Sequence, residues 1–214
     1  GESHIGRLKT VYRRGLGFRY GRQMQTIAGV HFNLSFSDDL WAWKAALDGH
    51  PDGTDHRLIR DHGYFHTIRN FRRIQWLIML LTGSSPSVDE SFRLLATDRF
   101  TVTGRTRLAE GATSLRMSDL GYQSAAQESI NICFNHLNTY CDTLSNAVHH
   151  PWPTYEGLGL KDDHGFKQLN TAVLQIENEY YSSIRPKRIQ QPGERPVRAL
   201  INHGVEYLEV RAID

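Results

Sequence analysis

Read as alternating apolar and polar positions, the chain mixes the 3.6-residue period of helices with the two-residue period of strands. After Ser124 the apolar residues Ile130, Phe134, Leu137, Cys141, Leu144 and Val148 recur every three or four positions, which predicts one amphipathic helix. Ser124 and Gln127 have capping-box spacing at its start, and Pro151 lies just past its end. A second helix is predicted from Asp61 to Leu81, carrying Phe65, Ile68 and Phe71. Its basic middle, Arg69 to Arg73, reads as a solvated outer face.

Strand periodicity is clearest from Met24 to Phe36. Met24, Thr26, Ala28, Val30, Phe32, Leu34 and Phe36 fall on one side and predict a core layer. Gln25, Ile27, Gly29, His31, Asn33 and Ser35 fall on the other. That second face has short polar groups suited to binding, and it equally fits an ordinary half-exposed antiparallel strand. Three further segments read as strands. They are Ser114–Ser118, with Arg116 opposite Leu115 and Met117; Leu169–Tyr181, with Gln175, Glu177, Glu179 and Tyr181 on one face; and Val205–Ile213. In the last, Leu208, Val210 and Ala212 oppose Tyr207, Glu209 and Arg211. Polar-faced strands plus helices to cover the other side predict an α+β fold, an antiparallel sheet with helices packed on one face.

Composition narrows the class. The 214 residues are 39% hydrophobic and 22% charged, enough for one core, and a formal charge of +2 gives no reason to expect a nucleic-acid or membrane partner. The longest apolar run, Trp76 to Leu81, is too short to span a bilayer. If Cys133 and Cys141 share one helix, their Cα atoms lie roughly 12 Å apart, too far for a disulfide. A reducing compartment, the cytoplasm, is the expected location. The chain starts without Met and stops on a strand-like segment, so it is read as a fragment truncated at both ends. His62 and His66 could share one helical turn as in a zinc site, but without a companion ligand motif they read as a surface pair.

His31 and Glu209 have the chemistry of ligands for a hard divalent ion, and Arg13, Arg116 and Arg211 that of cationic clamps for phosphate. Spacing alone leaves the alternatives open. On residue type alone His31 reads as a core histidine satisfied by a neighbour, and Tyr122 and Tyr181 fit packing aromatics whose hydroxyls reach the surface.

Four segments carry a resemblance. They are Gly6 to Arg13 (GRLKTVYR), Met24 to Asn33 (MQTIAGVHFN), Ala112 to Tyr122 (ATSLRMSDLGY), and Leu174 to Tyr181 (LQIENEYY) continuing through Ile184 to Arg188 and Val205 to Arg211. In this order they resemble the proteobacterial glutamate–cysteine ligases almost from end to end. The resemblance implies a glutamine synthetase-like antiparallel sheet, of which residues 1–214 form the central part. It also implies ATP-dependent joining of glutamate to cysteine through γ-glutamyl phosphate, with Mg2+ and with glutamate, cysteine and ATP as partners.

Residue by residue, the resemblance assigns the metal to His31 and Glu209, and the transferred phosphate to Arg211 and Arg13. It assigns the cysteine pocket to Tyr12, Gln25, Ile27, Arg116, Tyr122 and Tyr181, with Arg116 facing the cysteine carboxylate and Asn33 as a polar contact. Lys187 and Arg188 would meet nucleotide phosphates, while Glu177 and Glu179 read as structural. Nothing here matches the family's N-terminal carboxylate cluster, and a C-terminal portion is also absent. The isolated chain is therefore expected to lack ligase activity. A related carboxylate–amine ligase with another acceptor, and a non-catalytic module that binds ATP or amino acid, are the rival readings.

Overall fold

The structure, a computed structural model, describes residues 3–51, 53–92, 98–118 and 124–214. Its helices are α1 (His4–Tyr20), α2 (Asp38–Leu47), α3 (His56–Thr82), α4 (Ala125–Glu128), α5 (Leu137–Ala147), α6 (Pro153–Leu158) and α7 (Pro196–His203). Its strands are β1 (Val30–Leu34), β2 (Ser87–Asp89), β3 (Thr101–Thr103), β4 (Thr106–Leu108), β5 (Lys161–Asp162), β6 (Gly165–Phe166), β7 (Ile184–Lys187) and β8 (Tyr207–Ile213). The fold is α+β. The central sheet is antiparallel in the order β1-β8-β7, β2-β4-β3 form a small outlying sheet, and β5 and β6 pair with each other.

The start of α3 is set by Asp55, whose carboxylate accepts the Arg57 amide at 2.9 Å. The helix lies across β7 and β8 and buries Tyr64, Phe65 and Ile68 against Ile184, Leu208 and Val210. Each such side chain stabilises by about 1.5–3 kcal/mol when fully removed from water. From α5, Leu137, Cys141 and Leu144 enter the same core, and Val197 and Leu200 of α7 close it. In β8 the expected alternation holds: Leu208, Val210 and Ala212 are buried beneath the helices, while Tyr207, Glu209 and Arg211 face the other way.

Several expectations are corrected. The helix after Ser124 is two helices, because residues 129–136 leave helical geometry. Ser124 caps α4 through Gln127 N, but the run Ile130-Asn131-Ile132-Cys133 has poor helix formers. Phe134 then reaches the core beside Tyr140, and its carbonyl accepts from Arg69 Nη1 at 2.9 Å. Arg69 is thus partly buried against a loop rather than solvated. Cys133 and Cys141 do not share a helix, and both are free thiols.

Only Val30–Leu34 of the long first strand forms, after a 3-10 turn at Gln23–Thr26. Val30 and Phe32 are each 54% exposed rather than core, because β1 is the sheet edge and α3 lies across β7 and β8. Ser114–Ser118 is a bridge residue followed by a turn, so Leu115 and Arg116 are both buried instead of opposed. Leu169–Tyr181 is irregular. Its polar side chains take the place of a ladder: Gln175 Oε1 accepts from Leu169 N at 3.0 Å and Glu179 Oε2 from Gln175 N at 2.6 Å.

Candidate active site

The polar face of the central sheet, the C-terminal half of α1 and the loop after the 3-10 helix Glu177–Glu179 enclose a cavity of about 340 Å³. Tyr12, Arg13, Gln25, Ile27, His31, Arg116, Tyr181 and Arg211 all line it. Residues far apart in sequence are therefore brought to one cavity. Tyr122 lies outside the described residues.

On the sheet, His31 sits where the pairing of β1 with β8 shifts register. Val30 pairs with Ile213 and Phe32 with Val210, so two residues, Arg211 and Ala212, oppose one. Such bulges re-aim side chains beside active sites. Here His31 Nδ1 comes within 3.7 Å of Glu209 Oε1, and Arg211 Nη1 lies 3.0 Å from Glu209 Oε2. Lys187 Nζ is 3.9 Å from the same Glu209 oxygen. Burial alone would raise the Glu209 carboxyl, but Lys187 and Arg211 outweigh it and hold it below the usual range. Burial, then the Arg211 charge, lowers the His31 imidazole. A neutral imidazole beside an ionised carboxylate is the protonation state that metal ligation requires.

Arg116 is 7% exposed. Its Nη2 donates to the carbonyls of Arg211 and Ile213, and its Nε approaches Asp214 Oδ1 at 3.4 Å. Only Nη1, 3.4 Å from the Tyr181 hydroxyl, is left to address a ligand. Arg13 is the opposite case: it is exposed at the cavity wall, and its guanidinium has no partner among the described residues. Asn33 pairs with Glu209 across the strands but does not line the cavity. Arg188 is turned away, with Nε 3.6 Å from Glu206 and Nη1 donating to the His203 carbonyl.

Sequence reasoning missed other residues in and behind the cavity. Arg185, opposite Glu209 on β7, is 6% exposed and donates to the carbonyls of Asn178 and Tyr180. Burial, then Arg211, lowers it to about 10. Among the described residues its Nε is buried without a partner, as is that of Arg211. Gln127 of α4 receives the Tyr181 amide at 2.8 Å and donates to Tyr20 Oη at 2.8 Å, which fixes the loop that bears Tyr181. Glu177 and Glu179 are buried and paired with Arg195 and Arg19, in keeping with structural roles. His62 and His66 are both exposed on α3, and no group of three potential metal ligands occurs among the described residues. No helix is long and apolar enough to cross a membrane among the described residues.

A family model for glutamate–cysteine ligase matches residues 1–214. The chain is 52% identical over 216 residues to the glutamate–cysteine ligase of Hahella chejuensis, covering all of this chain and 41% of that protein. It is 51% identical over 217 residues to that of Pseudomonas paraeruginosa, covering 40% of it. A crystal structure of glutamate–cysteine ligase from Francisella tularensis in complex with AMP superposes with a TM-score of 0.90 at 41% identity, over all of this chain and 41% of that one. The chain thus spans about two fifths of the length of the curated relatives it matches.

Proposed function

We propose that this chain, which belongs to the glutamate–cysteine ligase family, supplies the cysteine pocket and part of the phosphate and metal site of an ATP-dependent ligase. The reaction joins the γ-carboxyl of L-glutamate to the amine of L-cysteine, the first step of glutathione synthesis. A γ-carboxylate oxygen attacks the terminal phosphorus of ATP, ADP leaves, and γ-glutamyl phosphate forms. The amine then displaces phosphate and loses a proton, leaving the amide. The observation that carries this reading is the single cavity in which Tyr12, Gln25, Ile27, Arg116 and Tyr181 stand beside His31 and Arg211.

In this reading Arg116 Nη1 meets the cysteine carboxylate and the unpartnered Arg13 meets phosphate oxygens, with Tyr12 and Tyr181 around the thiol side chain. Arg211 stabilises charge on the transferred phosphoryl group, with Lys187 behind Glu209. The AMP bound to the Francisella relative supports a nucleotide site, to which Lys187, beside Glu209, contributes, whereas Arg188 is engaged with Glu206. A neutral imidazole nitrogen and a carboxylate oxygen 3.7 Å apart fit two positions of a magnesium site, with Asn33 beside them. When bound, Mg2+ neutralises phosphate charge. Residues 1–214 form the central part of the catalytic domain, and the remaining metal and glutamate ligands lie outside this chain. The free thiols support a reducing location, the cytoplasm.

The test is phosphate release from ATP by the full-length enzyme with glutamate and Mg2+, with and without cysteine, for wild type and Arg116→Ala. Release that depends on cysteine and collapses in the variant is expected. Wild-type release indifferent to cysteine would overturn the cysteine reading in favour of another amine acceptor or a binding module.

A further inference from the structure

Gly29, at the approach to β1, has no positive φ, so its backbone suits any residue. What it lacks is space. A Cβ there would lie 2.3 Å from Cζ and 2.4 Å from Nε and Nη2 of Arg116, far inside van der Waals contact. A flexible arginine would ordinarily swing aside, but this guanidinium is buried and pinned. Asp214 holds Nε, the Arg211 and Ile213 carbonyls hold Nη2, and the Tyr181 hydroxyl lies near Nη1. Tyr181 is itself held through its amide by Gln127. Gly29 thus packs its bare backbone directly on the guanidinium these anchors hold, and both residues line the cavity.

We propose that Gly29 is a positioning residue: by presenting no side chain it seats the Arg116 guanidinium against β1, so that Nη1 is aimed at the carboxylate of the amine substrate. The inference rests on the reading of the cavity as the cysteine pocket. A methyl group at residue 29 forces Arg116 off its carbonyl anchors or tilts it along the strand, and either movement takes Nη1 from its place beside Tyr181. Displacements near 1 Å in a reacting site cost up to about a hundredfold. The loss falls on amine binding because ATP and glutamate do not depend on Nη1.

The test is steady-state kinetics of the full-length enzyme carrying Gly29→Ala, Arg116→Lys, or both. Wild type must first show cysteine-dependent phosphate release; if it does not, the cysteine reading itself fails and this inference with it. Given that response, Gly29→Ala is expected to raise KM for cysteine about tenfold or more, with KM for ATP and glutamate changed by less than about twofold. In the Arg116→Lys background, whose shorter head clears the new methyl, the same change is expected to cost almost nothing further. An unchanged cysteine KM, or equal losses in both backgrounds, overturns the proposal. If Gly29→Ala does not fold, the Gly29→Ala/Arg116→Ala double variant is expected to regain a cooperative thermal transition, and its failure to do so counts against the clash.

Discussion

Arg19 and Glu179 form an ion pair of 3.2 Å whose side chains are 0% and 1% exposed. Glu179 also accepts from Tyr20 Oη at 2.8 Å and from Gln175 N at 2.6 Å, while Arg19 donates to Gln168 Oε1 and the Asn170 carbonyl. The pair fastens the irregular segment before Tyr181 to α1. Removing one partner leaves a buried charge uncompensated, so Glu179→Ala is expected to destabilise by about 3–5 kcal/mol. Urea unfolding measures this directly, and a midpoint indistinguishable from wild type would contradict it.

Glu209→Gln keeps the shape of the carboxylate and removes its charge. The Mg2+ concentration for half-maximal phosphate release is expected to rise by at least about tenfold, with the fold intact. His31→Ala should shift the same titration in the same direction. A variant with wild-type metal dependence would remove Glu209 from the ligand set.

Arg185 ties the carbonyls of Asn178 and Tyr180 to β7. Hydrogen bonds from a charged donor are worth about 1.5–3 kcal/mol each. In Arg185→Met the residue 178–181 loop is expected to exchange amide hydrogens faster, and KM for cysteine to rise through Tyr181. Unaltered exchange in that loop would show that the two bonds carry no restraint.

Acid sensitivity follows from Asp214. Its carboxylate accepts from Ser85 Oγ at 2.5 Å, Ser114 Oγ at 2.7 Å and Ser84 N at 3.3 Å. Burial would raise its carboxyl, but these bonds and the Arg116 charge outweigh it and hold it below the usual aspartate value. The folded state therefore binds this proton less readily than the unfolded chain. The stabilisation is complete above about pH 4 and is lost as pH falls through the depressed value. Asp214→Asn is expected to be less stable at pH 7 and to show a flatter decline below pH 4. Parallel declines in the two proteins would assign the acid loss to other carboxylates.

What was legible in the sequence follows from what each segment buries. In β8 one face meets the core and the other carries Tyr207, Glu209 and the cavity-lining Arg211, so its two-residue alternation was plain. For α3, apolar residues recurring along the helix, buried from Ile59 to Ile68, gave the helix, though not its start at His56. By contrast α1 was missed as a helix, because its C-terminal half lines the cavity and carries glycines. Gly15 is one that close approach requires, since a Cβ there would lie 2.1 Å from Gln175 Oε1. In β7, Ile184, Arg185 and Pro186 are all buried, so nothing alternates. Leu169–Tyr181 alternates for another reason: its polar side chains bond backbone inside the protein, which imitates a strand. The site residues were legible mainly through the family resemblance. Arg185, Gln127 and Gly29 act by holding or making room for others, and no local pattern marks such roles.

The register shift at His31 has a consequence for how this protein can change over time. Beyond Val210, β8 carries one residue more than β1 needs, and that surplus brings Ile213 opposite Val30 and Asp214 to Ser85, Ser114 and Arg116. Deleting a single residue there would give a regular ladder while withdrawing Asp214 from its partners, and inserting one would turn Arg211 or His31 from the cavity. A point substitution at the bulge leaves its register in place, whereas a length change does not. The four residues that follow Val210 should therefore resist insertion and deletion throughout this lineage.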